Sequence, residues 1–403
     1  MKLWMKILIG LFLGVLVGQI FPEFSLGIKP IGDIFINSIK MLIVPLIFSS
    51  LLVGIASMED TKKMGRVGLK TFGLYLLTTA IAITIGLSIG TIMQPGKGVD
   101  LGSTTQMKKV DPQPFSETLV NIVPQNPVQA AAEAQVLQII VFALLFGIAL
   151  NLAGEKGKIV INFFDGVAEG MYKLTNMVME LAPYGVFALM AYISSIYGLA
   201  VLLPLLKVLI GVYIGCLLHA FITIGGALTL VARLNPIPFF KGIVDALAVA
   251  YSTASSSGTL PLTMRCARKN LGISDSMASF VLPLGATINM DGTAMYQGVA
   301  ALFIAQAYGI DLQFGHYITI ILTSTLASIG SAGVPGAGLI MLTLVLNSVG
   351  LPVEGIAIIA GIDRVLDMAR TTINVTGDCM VTVLVAKSEG EFDLKTYNNR
   401  EKS

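Results

Sequence analysis

The sequence is poor in the residues that most enzyme and metal sites use. It has three cysteines, Cys216, Cys266 and Cys379, with no paired spacing, and only two histidines, His219 and His316. Neither a disulfide framework nor a zinc site is supported. No nucleophile with an adjacent base is visible, and both histidines fall outside the motifs described below, so an enzyme is the reading with least support. Charge is scarce as well: Asp, Glu, Lys and Arg make up 12% of the chain, and the net charge of +2 is too small and dispersed to point to nucleic acid. What takes their place is apolar. The AVILMFWYC share is 55% and the mean hydropathy is +0.82, which is the composition of a polytopic membrane protein, and the apolar runs below give it an all-α integral membrane fold.

Apolar runs recur at Met5 to Phe21, Ile31 to Met58, Phe72 to Met93, Val136 to Ala153, Ile159 to Ile193 and Leu199 to Ala232. Each is long enough to cross a hydrocarbon core of about 30 Å, so six conventional spans are expected. The first run resembles a signal peptide but lacks a small-residue cleavage site, and reads as a retained helix. Lys62, Lys63, Arg66 and Lys70 follow the second run, whereas the first connection holds only Lys29. By the positive-inside rule the N-terminus is cytoplasmic. The polar stretch Gln94 to Asn126 reads as a long external loop.

Beyond Pro236 the pattern changes. Ile243 to Cys266 is interrupted by Ser252 to Gly258, and Ile318 to Val349 by Ser328 to Pro335. Non-helical backbone at membrane depth survives only where protein or water satisfies it, so each break predicts a re-entrant helical hairpin; a kinked span is the alternative. Each hairpin is followed by a span with polar residues at its centre, Phe280 to Ala307 and then Val353 to Val385. This gives about eight transmembrane helices plus two re-entrant hairpins, arranged as inverted repeats.

The last span is the most informative. Asp363, Arg364, Asp367, Arg370 and Asp378 all lie within it. Each Asp or Arg at a helix centre costs roughly 2.5 to 3.5 kcal/mol on insertion, and each Val, Ile or Leu returns only roughly 0.3 to 0.6 kcal/mol. At about 100° per residue, Asp363, Asp367, Arg370, Thr371, Asn374 and Asp378 share one arc of roughly 100°, with Arg364 at its margin. That stripe faces protein or a water-filled cavity. In the seventh span, Thr287-Ile-Asn289-Met-Asp291-Gly-Thr293 places an acid in Gly-interrupted backbone. Hard cations take oxygen ligands, which makes Asp291 and Asp378 the natural cation carboxylates. Satisfying the free backbone of a kink is the other reading of Asn289 and Asp291. Tyr75, Thr78 and Thr79 lie on one face of the third span, as additional oxygen donors or as core.

These motifs carry a resemblance that covers nearly the whole chain. SSSGTLP at Ser255 to Pro261, GATINMDGT at Gly285 to Thr293, ASIGSAGVPGAG at Ala327 to Gly338 and DMARTTINVTGD at Asp367 to Asp378 are similar to motifs of the glutamate/aspartate transporters in the dicarboxylate/amino acid:cation symporter family. The resemblance implies a cation-coupled, most simply sodium-coupled, symporter of acidic amino acids that works by an elevator motion. It also implies a homotrimer in the cell (inner) membrane, multi-pass and in contact with lipid, with both termini cytoplasmic. Residues 1–233 would be mainly scaffold, with the third span joining the moving part; residues 234–388 would form the transport core and 389–403 a cytoplasmic tail. No cofactor is implied beyond the coupling ions, sodium or protons.

The resemblance also assigns roles. Asp367 would receive the substrate's α-ammonium, Arg370 its side-chain carboxylate, and Asn374 with Ser256 and Ser257 its α-carboxylate; Thr293, Thr371, Val334 and Gly338 would complete the pocket. Gly285, Asn289, Asn374 and Asp378 would form one cation site, and Tyr75, Thr78, Thr79, Asn289 and Asp291 a second. Thr287, Ser328, Ile329 and Ser331 would form a third. Two departures stand out. Ala254 occupies the place of an arginine found at the first hairpin tip of archaeal relatives, and Arg364 appears on the last helix instead. Gln297 stands where animal neurotransmitter carriers have a glutamate, and it cannot titrate. A proton-coupled symporter is the alternative within transporters, and an ion channel is the alternative of another class.

Overall fold

The computed structural model describes residues 3–56, 62–99, 123–133, 135–198, 202–329 and 336–398. Among these the secondary structure is helical, with no strand and one isolated antiparallel bridge, Ile273 to Phe392. Two stretches, Gly65–Met93 and Leu203–Val231, are long and apolar enough to cross a membrane by length and composition.

The first half of the chain is α1 (Leu3–Ile20), α2 (Pro22–Gly27), α3 (Lys29–Ala56), α4 (Lys62–Met93), α5 (Pro127–Ala132), α6 (Val136–Leu152), α7 (Glu155–Glu180), α8 (Ala182–Tyr197) and α9 (Leu202–Leu218). The fifth apolar run is therefore two helices rather than one. Pro183 at the start of α8 has no N–H to continue the ladder of α7, so the chain breaks at Leu181. α7 exposes Asp165, Glu169 and Lys173 beside Ile159 and Phe163, which is an amphipathic pattern rather than an evenly apolar one. α1 and α8 lie against each other, and small residues explain how closely. A Cβ on Gly10, Gly14 or Gly18 would come within 2.5, 2.5 or 2.4 Å of the carbonyl oxygens of Pro183, Phe187 and Ala191. Spacing of four residues keeps all three on one face, the arrangement that lets helix backbones approach without a hydrophobic driving force. Gln19 then donates to the Ser194 carbonyl at 2.6 Å.

After α9 the helix widens into two π turns, His219–Ile224 and Ala227–Val231. There follow α10 (Pro236–Thr253), α11 (Ser256–Lys269), α12 (Asp275–Ile288), α13 (Asp291–Ala307), α14 (Phe314–Ile329), α15 (Ala337–Ser348), a 3-10 turn (Val353–Gly355), α16 (Ile356–Ala360), α17 (Asp363–Ser388) and α18 (Leu394–Asn398). α10 packs on α11, and α14 on α15. The first of these turns is made by Ala254 in the left-handed region (φ 51°, ψ 43°), after which Ser255 caps α11 by accepting from the Gly258 N–H at 3.0 Å. The second turn, 330–335, lies outside the described residues. α13 is buried along almost its whole length, against α4, α9, α14, α15 and α17. The charged α17 is buried from Asp363 to Ala386 with few interruptions, so the polar stripe faces protein.

The segment after α17 is docked rather than free. Asp393 N–H donates to the Gly272 carbonyl at 2.7 Å, and the Tyr397 hydroxyl to the Asn235 carbonyl at 2.8 Å. Glu389 accepts from Arg66 at 2.5 Å and Lys70 at 2.6 Å, and these two cations hold its carboxyl down at about 2.

Candidate functional site

The site is built where α12 stops and α13 begins. Asn289 (φ −97°, ψ 99°) and Met290 (φ −121°, ψ 52°) leave helical geometry, and the break turns the side chains of Asn289 and Asp291 inward. Asn289 Nδ2 donates to Asp378 Oδ1 at 2.9 Å and lies 3.4 Å from the Asn374 carbonyl. Asp291 Oδ1 accepts from the hydroxyls of Thr79 at 2.8 Å and Thr78 at 3.2 Å. Tyr75, fully buried, donates to the Val281 carbonyl at 3.1 Å. A Cβ on Gly285 would sit 2.4 Å from the Tyr75 hydroxyl and 2.6 Å from Asp378 Oδ1, which locates Gly285 between them. The residues expected to form the first two cation sites are thus brought together, Tyr75, Thr78 and Thr79 among them.

The donor set fits a hard cation. Asn289 Oδ1 is buried without a hydrogen-bond partner, a cost that a cation ligand removes. Asp291 and Asp378 are both buried, and carboxylates taken out of water need a countercharge. At the third expected cation site, Ser328 donates to the Ile288 carbonyl at 3.3 Å and to the Thr325 carbonyl at 2.8 Å, which brings α14 to the same helix break. Thr287 donates to the Leu284 carbonyl at 3.0 Å, and Ile329 is buried. Ser331 lies outside the described residues.

The second half of the site is centred on Arg370, which is fully buried. Nη1 donates to Asp363 Oδ1 at 2.7 Å, and the guanidinium lies 4.2 Å from the centre of the Tyr296 ring. Nη2 is 2.9 Å from Asp367 Oδ1 but off the direction of a hydrogen bond, and Nε has no partner. Those two nitrogens form the edge of the guanidinium that pairs a carboxylate in two-pronged fashion. Gly338 lets α15 close over the same group, since a Cβ there would lie 2.7 Å from Arg370 Cζ. Asp367 Oδ2 accepts from the Gly336 N–H at 3.0 Å. Asn374 Oδ1 accepts from the Gly292 N–H at 2.8 Å, and Asn374 Nδ2 lies 3.4 Å from the Thr293 hydroxyl. Thr371 and Ser256 are buried and Ser257 is exposed at the start of α11. Val334 lies outside the described residues.

Arg364 takes a position that its sequence neighbours do not indicate. Its Nη2 donates to the Thr253 carbonyl at 2.9 Å, immediately before the Ala254 turn, while Nε and Nη1 have no partner. It therefore holds the turn between α10 and α11 through the backbone. Tyr213 adds a second tie, donating to the Val365 carbonyl at 3.1 Å with its oxygen 3.2 Å from that of Tyr251.

His219 is the residue that motif reading missed. It is fully buried in the first π turn, and its Nε2 lies 3.1 Å from Asp291 Oδ2. A signal was present in the sequence: His219 is an ionisable side chain inside a long apolar run, and such residues are seldom placed there without a function.

Buried oxygen ligands at an interrupted helix lie next to a buried arginine whose Nε has no partner, an arrangement suited to a small charged solute. The chain belongs to the sodium:dicarboxylate symporter family, which matches residues 3–388. It is 42% identical over 403 residues to a proton/sodium-glutamate symport protein of Geobacillus stearothermophilus, covering 96% of this chain and 94% of the relative. It is 39% identical over 403 residues to a C4-dicarboxylate transport protein of Bacillus subtilis (strain 168), covering 97% and 94%. A proton/glutamate-aspartate symporter of Escherichia coli (strain K12) is 39% identical over 413 residues, covering 97% and 93%. The resemblance carried by the four motifs is thereby confirmed at the level of the family.

Proposed function

We propose that this protein is a sodium-coupled symporter of glutamate and aspartate in the cell (inner) membrane. The observation that carries the substrate class is buried Arg370, whose Nε has no partner, beside Asp367, which lies 2.9 Å from its Nη2. A substrate side-chain carboxylate fits the first group and an α-ammonium the second, a pairing that a C4-dicarboxylate without an amino group leaves half unmet. Sodium coupling is supported by Asp291 and Asp378 sharing one pocket with Asn289, Thr78 and Thr79. The reading includes a homotrimer, α10/α11 and α14/α15 as re-entrant hairpins, and an elevator motion. In that motion residues 234–388, joined by α4, carry the substrate past a scaffold drawn from the rest of 1–233. The contacts of Thr78 and Thr79 with Asp291 support grouping α4 with the moving part.

Proton coupling is the second reading, favoured by relatives whose names include protons with or without sodium. The two separate in proteoliposomes when sodium, proton and potassium gradients are imposed one at a time. Glutamate uptake that requires sodium at constant pH supports the proposal. Uptake that runs fully on a pH gradient in sodium-free buffer overturns the sodium assignment, and conductance without substrate overturns the carrier in favour of a channel.

A further inference from the structure

Asp291 presents its two oxygens to different kinds of partner. Oδ1 faces the hydroxyls of Thr78 and Thr79, while Oδ2 faces His219 Nε2 at 3.1 Å. A carboxylate oxygen accepts, so Nε2 carries the hydrogen that points at Oδ2, and Nδ1 is buried with no partner. The two sides are not equivalent toward a cation. A hydroxyl can rotate and turn a lone pair to an arriving ion, whereas an imidazole N–H can only point at the carboxylate. Oδ1 is therefore the cation-facing oxygen, and Oδ2 the oxygen by which the carboxylate is held.

We infer that His219 is a positioning residue for the cation site: its Nε2–H fixes the rotation of the Asp291 carboxylate so that Oδ1 stays with Thr78 and Thr79. The inference rests on the cation-coupled reading above. The local fold supports it from two sides. The π turn starting at His219 changes the helical register at this residue, a feature that recurs at functional sites. On the opposite wall Gly377 allows α17 to approach Oδ2, since a Cβ there would lie 2.9 Å from it. Oδ2 is thus enclosed and its direction set. Outer-shell partners of this kind typically account for about 10- to 100-fold in metal affinity.

The test separates this role from simple packing by using two amides of similar size. A glutamine carries its donor nitrogen about as far from the backbone as His Nε2, and an asparagine only about as far as Nδ1. Sodium binding is read as the sodium-induced rise in melting temperature of purified protein without substrate, and as the half-saturating sodium concentration for glutamate uptake. His219→Ala and His219→Asn are expected to raise the sodium requirement about 10- to 100-fold. His219→Gln should stay within about 3-fold of wild type, and glutamate affinity at saturating sodium should be nearly unchanged in all of them. Equal impairment in the glutamine and asparagine variants overturns the positioning role, as does an alanine variant with wild-type sodium binding. Loss of pH-driven uptake with sodium binding intact also overturns it. Wild-type uptake and melting that ignore sodium overturn the coupling reading together with this one, and that outcome is seen before any variant is made.

Discussion

Asn374 Oδ1 accepts a hydrogen bond from the backbone N–H of Gly292 at 2.8 Å, and this contact ties the two halves of the site together. Four residues along α17 from Arg370, Asn374 also offers its own carbonyl toward Asn289 Nδ2, which in turn bonds Asp378. In the proposed reading, a cation that draws on Asn289 or Asp378 would thus act on the same short stretch of α17 as the substrate. Coupling between two ligands is a free energy, and here it has a physical carrier.

Removing that carrier should weaken coupling more than either binding event. Asn374→Ala is expected to flatten the dependence of glutamate affinity on sodium by about 5- to 150-fold, the range of typical couplings. Glutamate affinity measured across a sodium titration checks it. An unchanged slope would place the coupling elsewhere.

Asp291→Asn keeps the size of the side chain and the capacity to accept from Thr78 and Thr79, but removes the charge that a cation needs. The expected result is a weakened sodium dependence in a folded protein, seen as loss of the sodium-induced melting shift with the sodium-free melting temperature largely kept. A variant that retains the shift shows that Asp378 alone carries the cation.

Much of this site could be read in the chain. The polar stripe of α17 was legible because helical periodicity alone brings Asp363, Asp367, Arg370, Asn374 and Asp378 to one face, and the stretch from Asn289 to Asp291 because small polar residues interrupt an apolar run. What was not legible depends on contacts between distant segments. His219 belongs to no motif in its run and meets Asp291 only through the packing of distant segments. The division of the fifth run at Pro183 was written in the sequence, but the apolar residues on both sides of it masked the change from an amphipathic to a buried helix. Nothing local in Glu389 to Asn398 indicates docking, since its partners are Arg66, Lys70, Asn235 and Gly272.

That docking has a pH dependence with a definite sign. The Glu389 carboxyl is lowered from 4.5 to about 2 by Arg66 and Lys70. Its folded-state value lies below the unfolded one, so the contribution is fully present above about pH 4.5 and is lost as pH falls toward about 2. Glu389→Gln should lower the melting temperature at pH 7. The gap from wild type should hold constant down to about pH 5 and then narrow, as followed by thermal melting across a pH series. A gap that persists unchanged at pH 3 would mean that the ion pairs are not its source.

The proposed function places selectivity on Arg370, whose burial constrains how its removal can be read. Arg370 is paired internally with Asp363 and lies close to Asp367, so removing it leaves buried carboxylates short of a partner, a change that commonly costs about 3 to 5 kcal/mol. A folding defect in Arg370→Cys alone is therefore ambiguous. Combining it with Asp363→Asn removes one charge of each sign and keeps Asp367 available for an ammonium. In that pair of substitutions, acidic amino acid transport should be lost while binding of neutral amino acids such as serine or alanine is kept or gained, because the α-ammonium and α-carboxylate contacts remain. Arg370→Lys should lose most acidic amino acid affinity despite keeping the charge, since an ammonium lacks the planar fork that matches a carboxylate. Asp367→Asn should abolish binding of every amino acid, acidic or neutral, because the ammonium is common to all. Uptake of labelled aspartate, serine and alanine reads all three variants, and competition of aspartate uptake by glutamate and succinate is read in the wild type. Near-normal aspartate affinity in the Arg370→Cys/Asp363→Asn protein would mean that Arg370 serves only its internal ion pair, and succinate displacing aspartate as well as glutamate does would remove the amino group from the recognition.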